Sequence, residues 1–198
     1  MKYKLVIFDL DGTILNTLGD LCAASNAALQ EFHLPQITLE QTQSYIGNGI
    51  RNLLLQASNY SGQIDSIVEF FKEYYWYHFN DFTKPYEGIQ EVFQFCKDKG
   101  IRIGVLTNKI EEIALPLIEA HFPNTMDFVF GEIEGRTRKP NPEFLLSIIK
   151  RYGYTEKDVL YIGDSEVDIL TCKNASIEGV FVSYGFRTKN QLLQHTNC

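Results

Sequence analysis

Phe8-Asp9-Leu10-Asp11-Gly12-Thr13 decides the reading of this chain, because it follows directly on the apolar run Leu5-Val6-Ile7-Phe8. That run, half of it β-branched, predicts a buried strand. Side chains two apart on a strand share a face, so Asp9 and Asp11 are expected to emerge together where the strand ends. In an open α/β sheet such an end borders the ligand crevice. Two carboxylates ~4 Å apart repel by about 1 kcal/mol in water and about 4 kcal/mol at an intermediate dielectric. A pair held there calls for a cation, a shared proton or a reaction. The plain alternative is an Asp-Gly turn after a strand, and three further segments weigh against it.

The first of these, Leu106-Thr107-Asn108-Lys109, closes a second predicted strand, Ile101–Leu106. A hydroxyl and an amide there, ahead of a helix N-terminus, offer hydrogen bonds to phosphate oxygens. Arg138-Lys139-Pro140-Asn141-Pro142 places a basic pair before a helix. Ile162-Gly163-Asp164-Ser165-Glu166-Val167-Asp168 follows the strand Val159–Ile162 and projects Asp164 at its end, with Asp168 one helical turn on. Glu166 is expected to face solvent. Taken singly, these segments have ordinary readings as helix caps, a solvated lysine and a turn. Together they set four carboxylates, a hydroxyl and a lysine along one edge of one inferred sheet. Such an oxygen-rich cluster suits a hard divalent cation such as magnesium.

The surrounding pattern alternates strand and helix. It predicts helices over Ile89–Lys97, Ile110–His121 (kinked or starting late because of Pro116), Pro142–Arg151, Val167–Lys173 and Gln191–His195, with strands at Phe128–Phe130 and Gly179–Val182. That alternation means a parallel sheet with helices on both faces. Residues 16–80 lack a convincing strand. Leu18, Leu21, Cys22, Ser25, Leu29 and Phe32 fall on one helix face, Thr38-Leu39-Glu40-Gln41 is a capping box, and a third helix is expected from Arg51. Ile64, Ile67, Val68, Phe71 and Tyr75 define a fourth helix, whose aromatic cluster Tyr74–Phe79 is expected to pack inside its own bundle. The expected architecture is an α/β, Rossmann-like parallel-sheet core from residues 1–15 and 81–198, with a small helical cap domain, residues 16–80, inserted after the first strand.

A net charge of −7 gives the surface as a whole nothing to hold nucleic acid or an anionic membrane. An anionic ligand therefore needs a local cation, which Lys139 or a metal would supply. The cysteines Cys22, Cys96, Cys172 and Cys198 are widely spaced, as free thiols in a reducing compartment are. The four histidines show no metal-ligand spacing. The N-terminal apolar run is too short for a signal peptide and no stretch reaches bilayer-spanning length, so the cytoplasm is the expected location.

In order and spacing the four segments resemble the haloacid dehalogenase superfamily, over essentially the whole chain. The inserted helical cap is a feature of one large branch. Gly47-Asn48-Gly49 and Leu106-Thr107-Asn108-Lys109 are most similar to phosphoglycolate phosphatases and their close relatives. The resemblance implies Asp9 as nucleophile, forming an aspartyl-phosphate, and Asp11 as general acid and then base. Thr107 and Lys139 would hold phosphoryl oxygens, and the amide of Asn108 at the same strand end is a further substrate-binding candidate. Magnesium would be held by Asp9, the main-chain carbonyl of Asp11 and Asp164, with Asp168 acting through water or orienting Lys139. Branches acting on halides or phosphonates lack an aspartate at the place of Asp11, which favours phosphate esters. Gly47, Asn48, Gly49 and Arg51 would read the leaving group, Arg51 pairing with a carboxylate such as that of glycolate. The expected substrate is a small phosphorylated metabolite, first 2-phosphoglycolate, with pyrophosphate, a sugar phosphate or a nucleoside monophosphate next. A β-phosphoglucomutase-like mutase and a non-catalytic module of the same fold are the other expectations. The assembly is expected to be a monomer or homodimer.

Overall fold

The computed structural model describes residues 2–47 and 49–196, with side chains through His195. Two compact units are present, Met1–Leu15 with Pro85–Cys198 and Asn16–Lys84. The chain runs through β1 (Leu5–Phe8) and β2 (Leu15–Asn16), then the helices α1 (Leu18–Glu31), α2 (Leu39–Tyr45), α3 (Ile50–Ala57) and α4 (Ile64–His78). It continues through β3 (Lys84–Pro85), which pairs with β2, and α5 (Ile89–Asp98), β4 (Arg102–Ile110), α6 (Glu111–His121) and β5 (Phe128–Glu132). The last elements are α7 (Glu143–Arg151), β6 (Val159–Gly163), α8 (Glu166–Ala175), β7 (Glu178–Phe181) and α9 (Lys189–Thr196).

The large sheet has the order β5-β4-β1-β6-β7 and its strand pairs are parallel. Leu5–Phe8 lies in register with Arg102–Val105 on one side and Val159–Ile162 on the other, so all four of its residues are buried. Alternate side chains of β1 serve opposite faces. Leu5 and Ile7 join Leu145, Ile148 and Ile149 of α7 and Cys172 and Ala175 of α8 in one core. Phe8 instead meets Phe93 of α5 edge-on, ring centroids 5.3 Å apart, and Phe93 meets Phe122 just after α6. Helices thus cover both faces, as the alternating pattern predicts. Direction of winding reverses between β1 and β6, and a crevice opens at such a switch point beyond the carboxyl ends of the strands.

Several boundaries differ from expectation. β4 does not stop at Leu106 but continues to Ile110, with a register shift against β5 between those two residues. Thr107 and Asn108 therefore sit in a bulged strand, not at a helix cap. α6 begins at Glu111, five residues before Pro116, so it does not start late. Glu112, whose carbonyl loses its intrahelical donor to Pro116, is exposed, and water can serve it. Pro142 is the N-cap of α7, one residue before the helix proper.

In the helical unit Leu21, Cys22, Ser25 and Leu29 of α1 are buried and the capping box at Thr38 is formed, Gln41 N donating to Thr38 Oγ1 at 3.2 Å. The aromatic stretch is split. Phe71 and Tyr75 are buried, but Trp76 and Tyr77, one and two residues further round α4, are exposed. Cys22, Cys96 and Cys172 are free and buried, and Cys198 lies outside the described residues.

Candidate active site

β1 ends at Phe8, and Leu10 to Leu15 curl into a tight turn in which the N–H groups of Thr13, Ile14 and Leu15 all point at the Leu10 carbonyl. Gly12 takes φ +81° there, and an added Cβ would stand 2.2 Å from Asp164 Oδ2. Gly185 closes the other side, where a Cβ would meet Asp164 Oδ2 at 2.5 Å. Asp164 is thus wedged between two backbones that come close only because both residues are glycine. Its Oδ2 accepts from Phe186 N at 2.6 Å and its Oδ1 from Thr13 Oγ1 at 3.4 Å.

Ser165 caps α8 and Asp168 completes the reciprocal capping box. Asp168 Oδ2 accepts from Asp164 N (3.2 Å), Ser165 N (3.1 Å) and Ser165 Oγ (2.6 Å). This leaves Asp168 Oδ1 to face Lys139 Nζ at 2.7 Å. The same ammonium lies 2.9 Å from Asp9 Oδ1 and 2.8 Å from the Tyr161 hydroxyl. Tyr161 OH also lies 3.1 Å from Asp168 Oδ1 and 3.1 Å from the Leu106 carbonyl. Tyr161 is fully buried on β6 and was not singled out by its sequence, where it looks like any aromatic of a core strand.

Oxygens of Asp9, Asp164 and Asp168 all lie within 4.8 Å of one another, and all three residues are buried. At that spacing each ionised pair repels by roughly 3–4 kcal/mol at an effective dielectric of about 20. Three carboxylates face one ammonium, and the imbalance shows in their proton affinities. Burial, with Lys139 opposing it and Asp168 adding to it, pushes Asp9 up to about 6. Burial and the charges of Asp168 and Asp9 hold Asp164 well above the ordinary carboxylate range. For Lys139, burial pulls downward, but Asp168 and Asp9 overcome it and raise the ammonium above its usual value. A buried all-oxygen set with uncompensated negative charge and a glycine-made cradle fits a hard divalent cation.

The other predicted residues fall as follows. Thr107 is buried, and its Oγ1 accepts from Lys109 N at 3.1 Å. Asn108 pairs both atoms of its amide with the main chain of Lys139. Oδ1 accepts from Lys139 N and Nδ2 donates to the Lys139 carbonyl, each at 2.9 Å, so the side chain staples the bulge of β4 to the lysine's loop. The carboxylate of Asp11 is outside the three-aspartate cluster and pairs with Lys109 Nζ at 3.0 Å. Glu166 is half-buried against Arg187, 2.8 Å away, rather than turned to solvent. In the helical unit Gly47 (φ +126°) and Gly49 (φ +85°) flank Asn48, which lies outside the described residues, and the exposed Arg51 pairs with Asp65 at 2.5 Å. Among the described residues no helix is long and apolar enough to cross a membrane.

A doubly wound sheet with three buried carboxylates gathered beyond its switch point is an arrangement that could hold a divalent cation. The sequence profile of the haloacid dehalogenase-like hydrolases matches residues 6–182. Phosphoglycolate phosphatase of Haemophilus influenzae is 31% identical over 199 residues, 93% of this chain and 88% of that protein. Phosphoglycolate phosphatase 1 of Pseudomonas aeruginosa is 32% identical over 193 residues, 92% of this chain and 70% of that one. A solved structure from Lactobacillus delbrueckii subsp. bulgaricus, described provisionally as a phosphoglycolate phosphatase, has a TM-score of 0.91 at 32% identity, covering 98% of this chain and 92% of that one. The chain belongs to the haloacid dehalogenase-like hydrolase family. It is an enzyme of the phosphoric monoester hydrolase type.

Proposed function

We propose that this enzyme is a magnesium-dependent phosphatase of a small phosphorylated metabolite, with 2-phosphoglycolate as first candidate. The observation that carries the reading is the Lys139 ammonium, shared between Asp9 and Asp168 at 2.9 and 2.7 Å and sequestered from solvent. It places a fixed positive charge beside a carboxylate that needs no activating base to attack phosphorus. Asp9 attacks in line, and its oxygen gains the bond to phosphorus as the bond to the leaving oxygen breaks. Asp11 gives that oxygen a proton and then takes one from the water that hydrolyses the aspartyl-phosphate. Lys139 and the Thr107 hydroxyl hold the phosphoryl oxygens, a preorganised stabilisation of the charge that spreads over them. Magnesium, held by Asp9 and Asp164 with Asp168 beside them and the Asp11 carbonyl, would neutralise clustered negative charge and admit a phosphate dianion.

The substrate choice rests on the relatives' names and on the helical unit. Gly47 and Gly49 carry positive φ and no side chain that would obstruct a small molecule. Arg51 can exchange its exposed partner Asp65 for a substrate carboxylate at little cost, because such surface pairs are worth only about 0–1 kcal/mol. The test is phosphate release from several dozen phosphorylated metabolites, with magnesium and with a chelator. 2-Phosphoglycolate is expected to rank first and the chelator to abolish release. Isomerised sugar phosphate without free phosphate would instead identify a mutase. Release unaffected by chelation would refute the metal's role.

A further inference from the structure

We propose that Lys109 is the positioning residue of the acid–base group Asp11, a role that rests on the phosphatase reading above. Its Nζ lies 3.0 and 3.4 Å from the two oxygens of Asp11, with the lysine side chain only 5% exposed and that of Asp11 19% exposed. The strand itself is bent to deliver it. β4 leaves β1 after the pair Phe8–Val105. Against β5 it advances from Leu106 to Ile110 while its partner advances only from Phe130 to Glu132. The extra residues make a bulge, a device that re-aims a side chain. The bulge needs Gly131 opposite, where an added Cβ would stand 2.5 Å from the Lys109 carbonyl. Thr107 Oγ1 then accepts from Lys109 N, fixing the backbone from which the side chain departs.

Lys109 is thereby a different kind of cation from Lys139. Lys139 grips Asp9 and Asp168, whereas Lys109 grips Asp11, whose carboxylate stands outside that cluster. The chemistry asks for this separation. In the first step the bond from Asp9 to phosphorus forms, the bond to the leaving oxygen breaks, and Asp11 supplies that oxygen with a proton. In the second, water bonds to phosphorus, the Asp9–phosphorus bond breaks, and Asp11 receives the water's proton. A carboxylate free to swing toward the cation site could do neither in place.

The experiment separates the two steps. p-Nitrophenyl phosphate leaves as a phenolate stable without a proton, so its first turnover needs Asp9 and Lys139 but not Asp11. Rapid-quench measurement with magnesium present is made on wild type, Lys109→Met, Lys109→Gln and Lys109→Arg, each also as a double variant with Asp11→Asn. For Lys109→Met and Lys109→Gln, nitrophenolate release in the first turnover is expected within about threefold of wild type. Later turnovers, and all turnover of alkyl phosphates, should slow by roughly 10- to 100-fold, within the span that a positioned acid–base group supplies. Lys109→Arg should recover part of the loss, and none of the changes should matter further once Asp11 is Asn. First and later turnovers falling together, in whichever of Met and Gln folds, or full additivity with Asp11→Asn, would overturn the role. Wild type without magnesium-dependent turnover would overturn the phosphatase reading and this role with it. Active wild type with unchanged variants overturns the role of Lys109 alone.

Discussion

Removing the divalent cation should make this protein more stable in mild acid than at neutral pH, and the site's geometry sets the size of the effect. Burial, only partly opposed by Lys139, raises Asp9 from its ordinary 3.8 to about 6. The folded protein therefore binds the proton more tightly than the unfolded chain does. Stability from this group is fully present below about 3.8 and is lost as pH rises through about 6. The full difference is on the order of 3 kcal/mol. Between pH 7.5 and pH 5 roughly 1 kcal/mol of it is recovered, about 2–4 °C in Tm for a chain of this size. Asp164, shifted in the same direction by burial, adds to it. Approach to the isoelectric point also relieves general repulsion in an acidic protein, so Asp9→Asn is the control. The measurement is differential scanning calorimetry of chelator-treated wild type and Asp9→Asn from pH 5 to pH 7.5. Wild type should gain more on acidification than the variant does, and magnesium at pH 7.5 should raise the wild-type Tm. Equal pH slopes in the two proteins, or a wild-type Tm indifferent to magnesium, would refute the account of the cluster.

Asp9→Asn should keep the fold and lose turnover by at least 1,000-fold, about 4 kcal/mol of barrier, checked by phosphate release beside a circular dichroism spectrum. Lys139→Met leaves Asp9 and Asp168 without their shared cation and should cost about 3–5 kcal/mol in urea unfolding of the metal-free protein at pH 7.5. Gly12→Ala pushes a methyl group into Asp164 from a left-handed backbone, so magnesium affinity by titration calorimetry should fall about 10-fold or more. Asn108→Ala frees the loop of Lys139 and should lower kcat about 10-fold with little change in KM, measured on the preferred substrate.

What the sequence alone determined was chiefly what repeats locally. Apolar runs ending in Asp9 and Asp164 announce strands of a parallel sheet, because burial on both faces demands uninterrupted hydrophobic residues. The capping box at Thr38 is formed by residues three apart, so local pattern suffices for it. The convergence of Asp9, Asp164 and Asp168 could be inferred because all follow strands that leave the same edge of one sheet. Which partner each polar side chain takes was decided by tertiary structure. Asn108 reads as a donor at a strand end, and only the fold brings its amide against the main chain of Lys139, thirty-one residues away. Glu166 is expected to face solvent, and only the fold brings Arg187 against it. Tyr161 reads as core, and only the approach of Lys139 and Asp168 turns its hydroxyl into part of the site. Lys109 depends on a bulge that exists because β4 outruns its partner strand, a mismatch of lengths that neither strand encodes by itself. Strand and helix propensities act over a few residues, whereas charge pairing acts through space, and space is assigned only once the sheet has closed its register.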